Sequence, residues 1–178
     1  MVLPLRRSAT AEDPLAALHR EHYRSLVRLA SLLLGDVATS EEVVQDAFVR
    51  LQVRWGGLRD LDRAPAYLRS AVLNGARSQL RKRKVRDRYG ERRSIVPIAP
   101  AAEAGAMAGA DHDRVVDALR RLPDRQREAL ALRFYLDLSE AEMAAAMGVS
   151  AGSVKTHVHR GLAALGELLG DVEQEEAQ

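Results

Sequence analysis

Apolar residues recur every three or four positions along most of this chain, the period of an amphipathic helix, and β-branched clusters that would favour strands are few. Leu15, Leu18, His22, Leu26, Leu29 and Leu33 predict a first helix, opened by Asp13-Pro14 and closed by Gly35. Val43, Val44, Ala47, Phe48 and Leu51 predict a second, with Thr39 and Glu42 offering a capping box and Gly56-Gly57 a stop beyond Trp55. Leu51 and Trp55 read as core. Pro65 opens a third helix that turns Leu68, Val72, Ala76 and Leu80 inward.

Residues 94–112 break the pattern. They carry Pro97, Pro100, Gly105 and Gly109 and no apolar period, so they predict a linker. Beyond it Val115, Val116, Leu119 and Leu122 predict a helix ended by Pro123, and residues 124–135 another. Ser139 and Glu142 form a capping box for a short helix, Gly148-Val149-Ser150 a tight turn, and Ser150 an N-cap for a last helix with Val154, Val158, Leu162 and Leu165 inward. A short helix, a glycine turn and a capped helix make a helix-turn-helix. The expected fold is all-α: two small helical domains, residues 12–93 and 113–170, joined by a flexible linker at 94–112 and followed by an acidic tail at 171–178.

Composition narrows the function. The chain has 178 residues, 47% hydrophobic, with 27 Lys+Arg against 25 Asp+Glu and no cysteine. That excludes a disulfide scaffold, a cysteine nucleophile and a thiolate metal site. With no apolar stretch near the roughly 20 residues of a membrane span and no signal-like segment, the expected location is cytoplasmic, away from membranes. Only three bases are lysines, Lys82, Lys84 and Lys155. Alongside abundant alanine this reflects a GC-rich genome more than a need for guanidinium chemistry. No phosphate loop, nucleophile elbow or paired-acid motif is visible. His19 and His22 lack a third metal ligand, so a solvated or half-buried pair is the reading. No catalytic residue, metal or cofactor is expected, and the chain reads as a binding protein rather than an enzyme.

Charge distribution says more than net charge. Residues 77–93 hold nine basic and two acidic side chains, a local +7. A helix dipole explains one or two of these, and a polyanion explains the rest. Asn74, polar in mid-helix, is either a solvated residue or a base contact. Ser153, Lys155, Thr156, His157, His159 and Arg160 line the polar face of the last helix and suit phosphates or base edges. Glu41, Glu42 and Asp46 are either acids at a helix start or a protein-binding surface.

These residues together resemble a known family. Glu41-Glu42-Val43-Val44-Gln45-Asp46-Ala47-Phe48-Val49-Arg50-Leu51 resembles the second conserved region of bacterial RNA polymerase sigma factors. Ala66-Tyr67-Leu68-Arg69-Ser70-Ala71-Val72-Leu73-Asn74-Gly75-Ala76-Arg77-Ser78 is similar to the promoter-melting helix of the extracytoplasmic-function group. Leu122-Pro123-Asp124-Arg125-Gln126-Arg127-Glu128, Leu138-Ser139-Glu140-Ala141-Glu142 and Val149-Ser150-Ala151-Gly152-Ser153-Val154-Lys155-Thr156 resemble that group's −35-binding domain. The composition and the run Asp62-Arg63-Ala64-Pro65-Ala66-Tyr67 are most like actinobacterial members.

The resemblance implies that Glu42, Gln45 and Asp46 dock on the clamp helices of the largest subunit of core RNA polymerase, with the flap of the second subunit as a further contact. It implies that Asn74 and the loop 58–64 hold an unstacked base of the −10 element, with Arg77, Arg81 and Lys82 on the backbone. Ser153, Lys155, Thr156, His157 and Arg160 would meet the −35 major groove, with Arg125 and Arg127 on nearby phosphates. The linker would thread towards the RNA exit path. The implied partners are core polymerase and promoter DNA, with an anti-sigma factor as a further candidate. The sequence departs from the family at Leu51-Gln52, where an aromatic is common, at Ala151-Gly152-Ser153, and at His157, where arginine is frequent. The rival reading is a stand-alone helix-turn-helix repressor or activator. A recombinase fragment would need a carboxylate cluster that is not apparent.

Overall fold

The Asp13 carboxylate accepts a hydrogen bond from the Leu15 amide at 3.1 Å, and Pro14 follows it, so the first helix, α1 (Pro14–Leu34), starts where its backbone donors are satisfied. It ends at Gly35, whose φ of 71° lies in the left-handed region. The computed structural model describes residues 13–54, 61–89 and 106–176, with side chains placed for 13–54, 62–89 and 113–170. Then follow α2 (Val37–Arg54), a 3-10 turn at Leu61–Arg63 and α3 (Ala64–Arg88). The second unit comprises α4 (Ala106–Arg121), α5 (Asp124–Leu130), a π-helical turn at Ala131–Tyr135, α6 (Glu140–Met147) and α7 (Ala151–Glu176). All regular structure among the described residues is helical.

The structure moves two predicted boundaries. Asp36, not Thr39, starts α2: its carboxylate accepts from the Thr39 amide at 3.3 Å and from the Thr39 hydroxyl. The predicted Thr39–Glu42 capping box is therefore replaced by an Asp36 cap three residues earlier. In the alanine-rich end of the predicted linker, α4 already begins at Ala106. Residues 94–105 of that linker, Trp55, the Gly56-Gly57 stop and residues 58–60 of the loop 58–64 lie outside the described residues. At the other end α7 runs on to Glu176, into the predicted acidic tail.

In the first unit α1, α2 and α3 pack mutually around Leu26, Leu29, Val44, Leu51, Leu68, Val72 and Leu73. Each buried leucine contributes about 1.5–3 kcal/mol. Leu73, off the predicted stripe, is fully buried, while Leu80 is only partly covered. α3 comes close to α2 at Gly75, where a Cβ would lie 2.7 Å from Val43 Cγ1. The second unit packs α5 and α6 on α7. Both predicted caps are present: Ser139 and Glu142 form the capping box, and the Ser150 hydroxyl accepts from the Ser153 amide at 3.2 Å. Val154 is buried, but Leu162 is exposed. One residue before it, Gly161 lets α7 close on Leu130, whose Cγ would be 3.1 Å from a Cβ there.

The two units share one apolar core. Leu132, Leu138, Met143, Met147 and Val154 belong to the same buried cluster as the residues of α1–α3. α6 lies on α3, and α1 touches the π-helical turn.

Two predictions follow from the packing. Gly75→Ala gains helix propensity but drives a methyl into Val43, so the variant should lose about 1–3 kcal/mol, read as a lower urea midpoint. The Asp36 carboxyl is held below its ordinary range, first by the Thr39 hydroxyl and despite partial burial, and Arg83 adds a charge at 3.5 Å. A depressed carboxyl contributes stability above its unfolded pKa and loses it as pH falls through the folded one. The urea midpoint should therefore drop below about pH 4, and Asp36→Asn should flatten that drop. An unchanged slope in the variant would remove Asp36 as a cause.

Candidate nucleic-acid interface

Three surfaces carry the predicted functional residues. On α2, Glu41, Glu42, Gln45 and Asp46 are exposed, while Val43, Val44, Ala47 and Phe48 between them are buried. Because α2 starts at Val37, its first turn holds no acid, and the helix dipole does not account for this stripe. The stripe continues as Val49 and Val53, the latter 82% exposed. Polar residues followed by bare valines on one helix face suit a protein partner better than solvent.

On α3, Asn74, Arg81 and Lys82 are exposed and Arg77 is half-buried. The basic run is divided between tasks. Arg83 donates to the Leu34 carbonyl at the end of α1 and pairs with Asp36, so it caps one helix and steadies the start of the next. Lys84 reaches Asp124 of the second unit at 2.7 Å. Arg81 and Lys82, just before these two structural cations, are exposed.

On α7, Lys155, Thr156, His159 and Arg160 are exposed, with Ser153 and His157 half-covered. Short α6, the Gly148 turn (φ 67°) and capped α7 build the predicted helix-turn-helix, with α7 presenting its polar N-terminal half. Lys155 lies 3.5 Å from Glu140 of α6.

The arginines of α5 divide. Arg125 remains partly exposed. Arg127 is buried, donating to Asp124 at 3.0 Å and to the Arg120 carbonyl at 3.2 Å, and burial pushes its pKa down. It stitches α5 to α4, so the reading of Arg127 as a phosphate contact is corrected here. Its place on the inward face of α5 overrides its charge.

The sequence missed Glu128. It is 3% exposed and accepts from Arg77 Nε at 3.1 Å, from Arg77 Nη2, and from Arg125 Nη1 at 3.3 Å. A signal was present: Glu128 is one helical turn before the inward Leu132, a position where periodicity asks for an apolar residue. The histidine pair of α1 belongs to a different setting. His19 stacks on Tyr23 with centroids 4.5 Å apart and leans on Phe48, a packing role.

The family models for sigma-70 region 2 and sigma-70 region 4 match residues 18–86 and 112–165. The RNA polymerase sigma-E factor of Streptomyces avermitilis is 35% identical over 150 residues, 84% of this chain and 82% of that protein. The sigma factor CarQ of Myxococcus xanthus is 28% identical over 94% of this chain and 96% of its own. Among solved structures, the sigma factor RpoE of Bartonella quintana, in complex with the anti-sigma factor NepR, matches with a TM-score of 0.71 at 28% identity, covering 86% of this chain and 97% of that one. CnrH, in complex with the cytosolic domain of CnrY, matches at 0.64 and 26% identity, over 88% of each chain.

Proposed function

This chain belongs to the extracytoplasmic-function sigma factors, which make transcription initiation by RNA polymerase promoter-specific, and we propose how its surfaces divide that work. The α2 stripe of Glu42, Gln45 and Asp46 docks on the clamp helices of the largest polymerase subunit. Asn74 takes an unstacked −10 base, while Arg77, Arg81 and Lys82 grip the adjoining backbone. The α7 face of Ser153, Lys155, Thr156, His157 and Arg160 enters the −35 major groove, and Arg125 reaches a phosphate beside it. The second unit also meets the flap of the second-largest subunit. An anti-sigma factor belongs among the proposed partners, since the Bartonella quintana neighbour is bound to one.

The observation that carries the docking reading is the exposed α2 stripe, whose acids lie beyond the first turn of the helix and whose line continues into the exposed Val49 and Val53. Melting follows from binding energy. A base held out of the stack costs a few kcal/mol, and contacts to the extruded base and its backbone offset that cost without ATP. Polymerase holds both DNA-binding units at fixed spacing, so the second contact forms at high effective concentration. The match of both family regions, in order, leaves the stand-alone repressor reading without a distinct role for α2.

Asp46→Arg should abolish co-elution with core RNA polymerase on size exclusion while leaving the helical circular dichroism intact. Wild-type co-elution by this variant would remove Asp46 from the docking surface. Arg160→Ala should weaken the protein's own promoter by about 1–3 kcal/mol relative to unrelated DNA. An equal loss on every sequence would make Arg160 a phosphate contact instead.

A further inference from the structure

Asn74 and Arg77 stand three positions apart on α3, on neighbouring turns of one face. Arg77 Nη1 donates to the Asn74 side-chain oxygen at 2.9 Å. The guanidinium is itself held, since its Nε and Nη2 donate to the Glu128 carboxylate and Nη2 also donates to the Met147 carbonyl at 3.1 Å. A free asparagine amide is ambiguous, because a half-turn exchanges its acceptor oxygen for its two N–H donors. The bond from Arg77 removes that ambiguity. The oxygen faces a cation, so the amino group is what the exposed Asn74 has left to offer. The oxygen keeps a second lone pair, but a donor arriving there meets the positive guanidinium and is repelled. Ser70, Ala71 and Ser78, one turn to either side of Asn74, are small, so a planar ring can come close.

We propose that Arg77 is a positioning residue: it turns the Asn74 amide so that its N–H donors meet the unstacked base, and it thereby selects a base that carries a ring carbonyl and refuses adenine. The proposal rests on the reading of Asn74 as the base contact. On their pairing edges cytosine, thymine and guanine each present a carbonyl oxygen, which accepts from the amide. Adenine has no carbonyl and presents an amino group beside a ring nitrogen. A freely turning amide satisfies both, accepting from the amino group while donating to the nitrogen. The held amide satisfies only the nitrogen and sets the adenine amino group against Arg77. A site built for one hydrogen-bond pattern rejects a ligand with another because polar groups are left unpaired. Asn74 takes only Nη1, so this role adds to the backbone grip of Arg77 and does not replace it.

The test uses the full chain bound to core RNA polymerase. The probe is a library of the protein's own promoter with the −10 positions randomised, and the sequences recovered in open complexes are counted. The wild type should disfavour adenine about tenfold at one position. Asn74→Ala should flatten the preference at that position alone, which locates it. Arg77→Met has no donor and frees the amide, so the adenine deficit there should shrink several-fold while preferences elsewhere stay. Loss of the backbone grip lowers recovery of all sequences alike and leaves that ratio untouched. Asn74→Asp changes an exposed side chain and does not depend on the folding of Arg77→Met. It replaces donors by acceptors, so adenine should be accepted and thymine, which has no amino group, refused. A wild-type preference for adenine at the located position overturns the proposal. So does a folded Arg77→Met that keeps the adenine deficit, or an Asn74→Asp that still refuses adenine; in either case Asn74 remains the base contact and only the positioning role is lost. If Asn74→Ala flattens no position, Asn74 touches no base, and that reading falls together with the proposal.

Discussion

Helix α3 must satisfy two neighbours at once, and the rest of the molecule follows from how it does so. One side gives Leu68, Val72, Leu73 and Ala76 to α1 and α2, and Gly75 lets α2 approach as near as Val43 allows. Another gives Arg69, Arg77 and Lys84 to the second unit. Asn74, Arg81 and Lys82 remain exposed on the surface that is left. A helix constrained on two sides is rigid, and a rigid helix is the right platform for a base held out of its stack.

The same constraint sorts the arginines. A buried guanidinium needs its own acceptors, so Arg127 is spent on α4 and on Asp124. Arg83 closes α1 and steadies the start of α2. These side chains are structural although they sit in runs that read as nucleic-acid binding. The local charge of 77–93 therefore overstates the free charge that DNA would meet, and contacts should be assigned by exposure rather than by counting.

Much of the fold was legible because its signals are local. Asp13-Pro14, Gly35, Ser139 with Glu142, Gly148 and Ser150 each satisfy backbone groups within one turn, and each acts where the sequence places it. Thr39 misled because a threonine three residues before a glutamate fits a capping box equally well, while Asp36 gains from Arg83, forty-seven positions away and invisible to a local pattern. Leu162 misled because a strict four-residue period drifts off the buried face, and Gly161 takes the inward place. The α7 face and the α2 stripe were legible as exposed polar residues between apolar ones. The Arg77–Glu128 pair spans fifty-one positions, and no periodicity within either segment announces it.

The shared core and the charged seam act differently. Apolar contact between the units is non-directional and grows with area, so it favours closure without fixing a register. The ion pairs along α3 are directional and fix which turn of α6 meets which turn of α3. The central pair joins a half-buried guanidinium to a buried carboxylate, and that carboxylate has Arg125 as a second partner. Salt screens the exposed Lys84–Asp124 pair more than the buried Glu128 pair. The outer contact therefore weakens first as salt rises, while the inner one holds the register of α3 against the second unit.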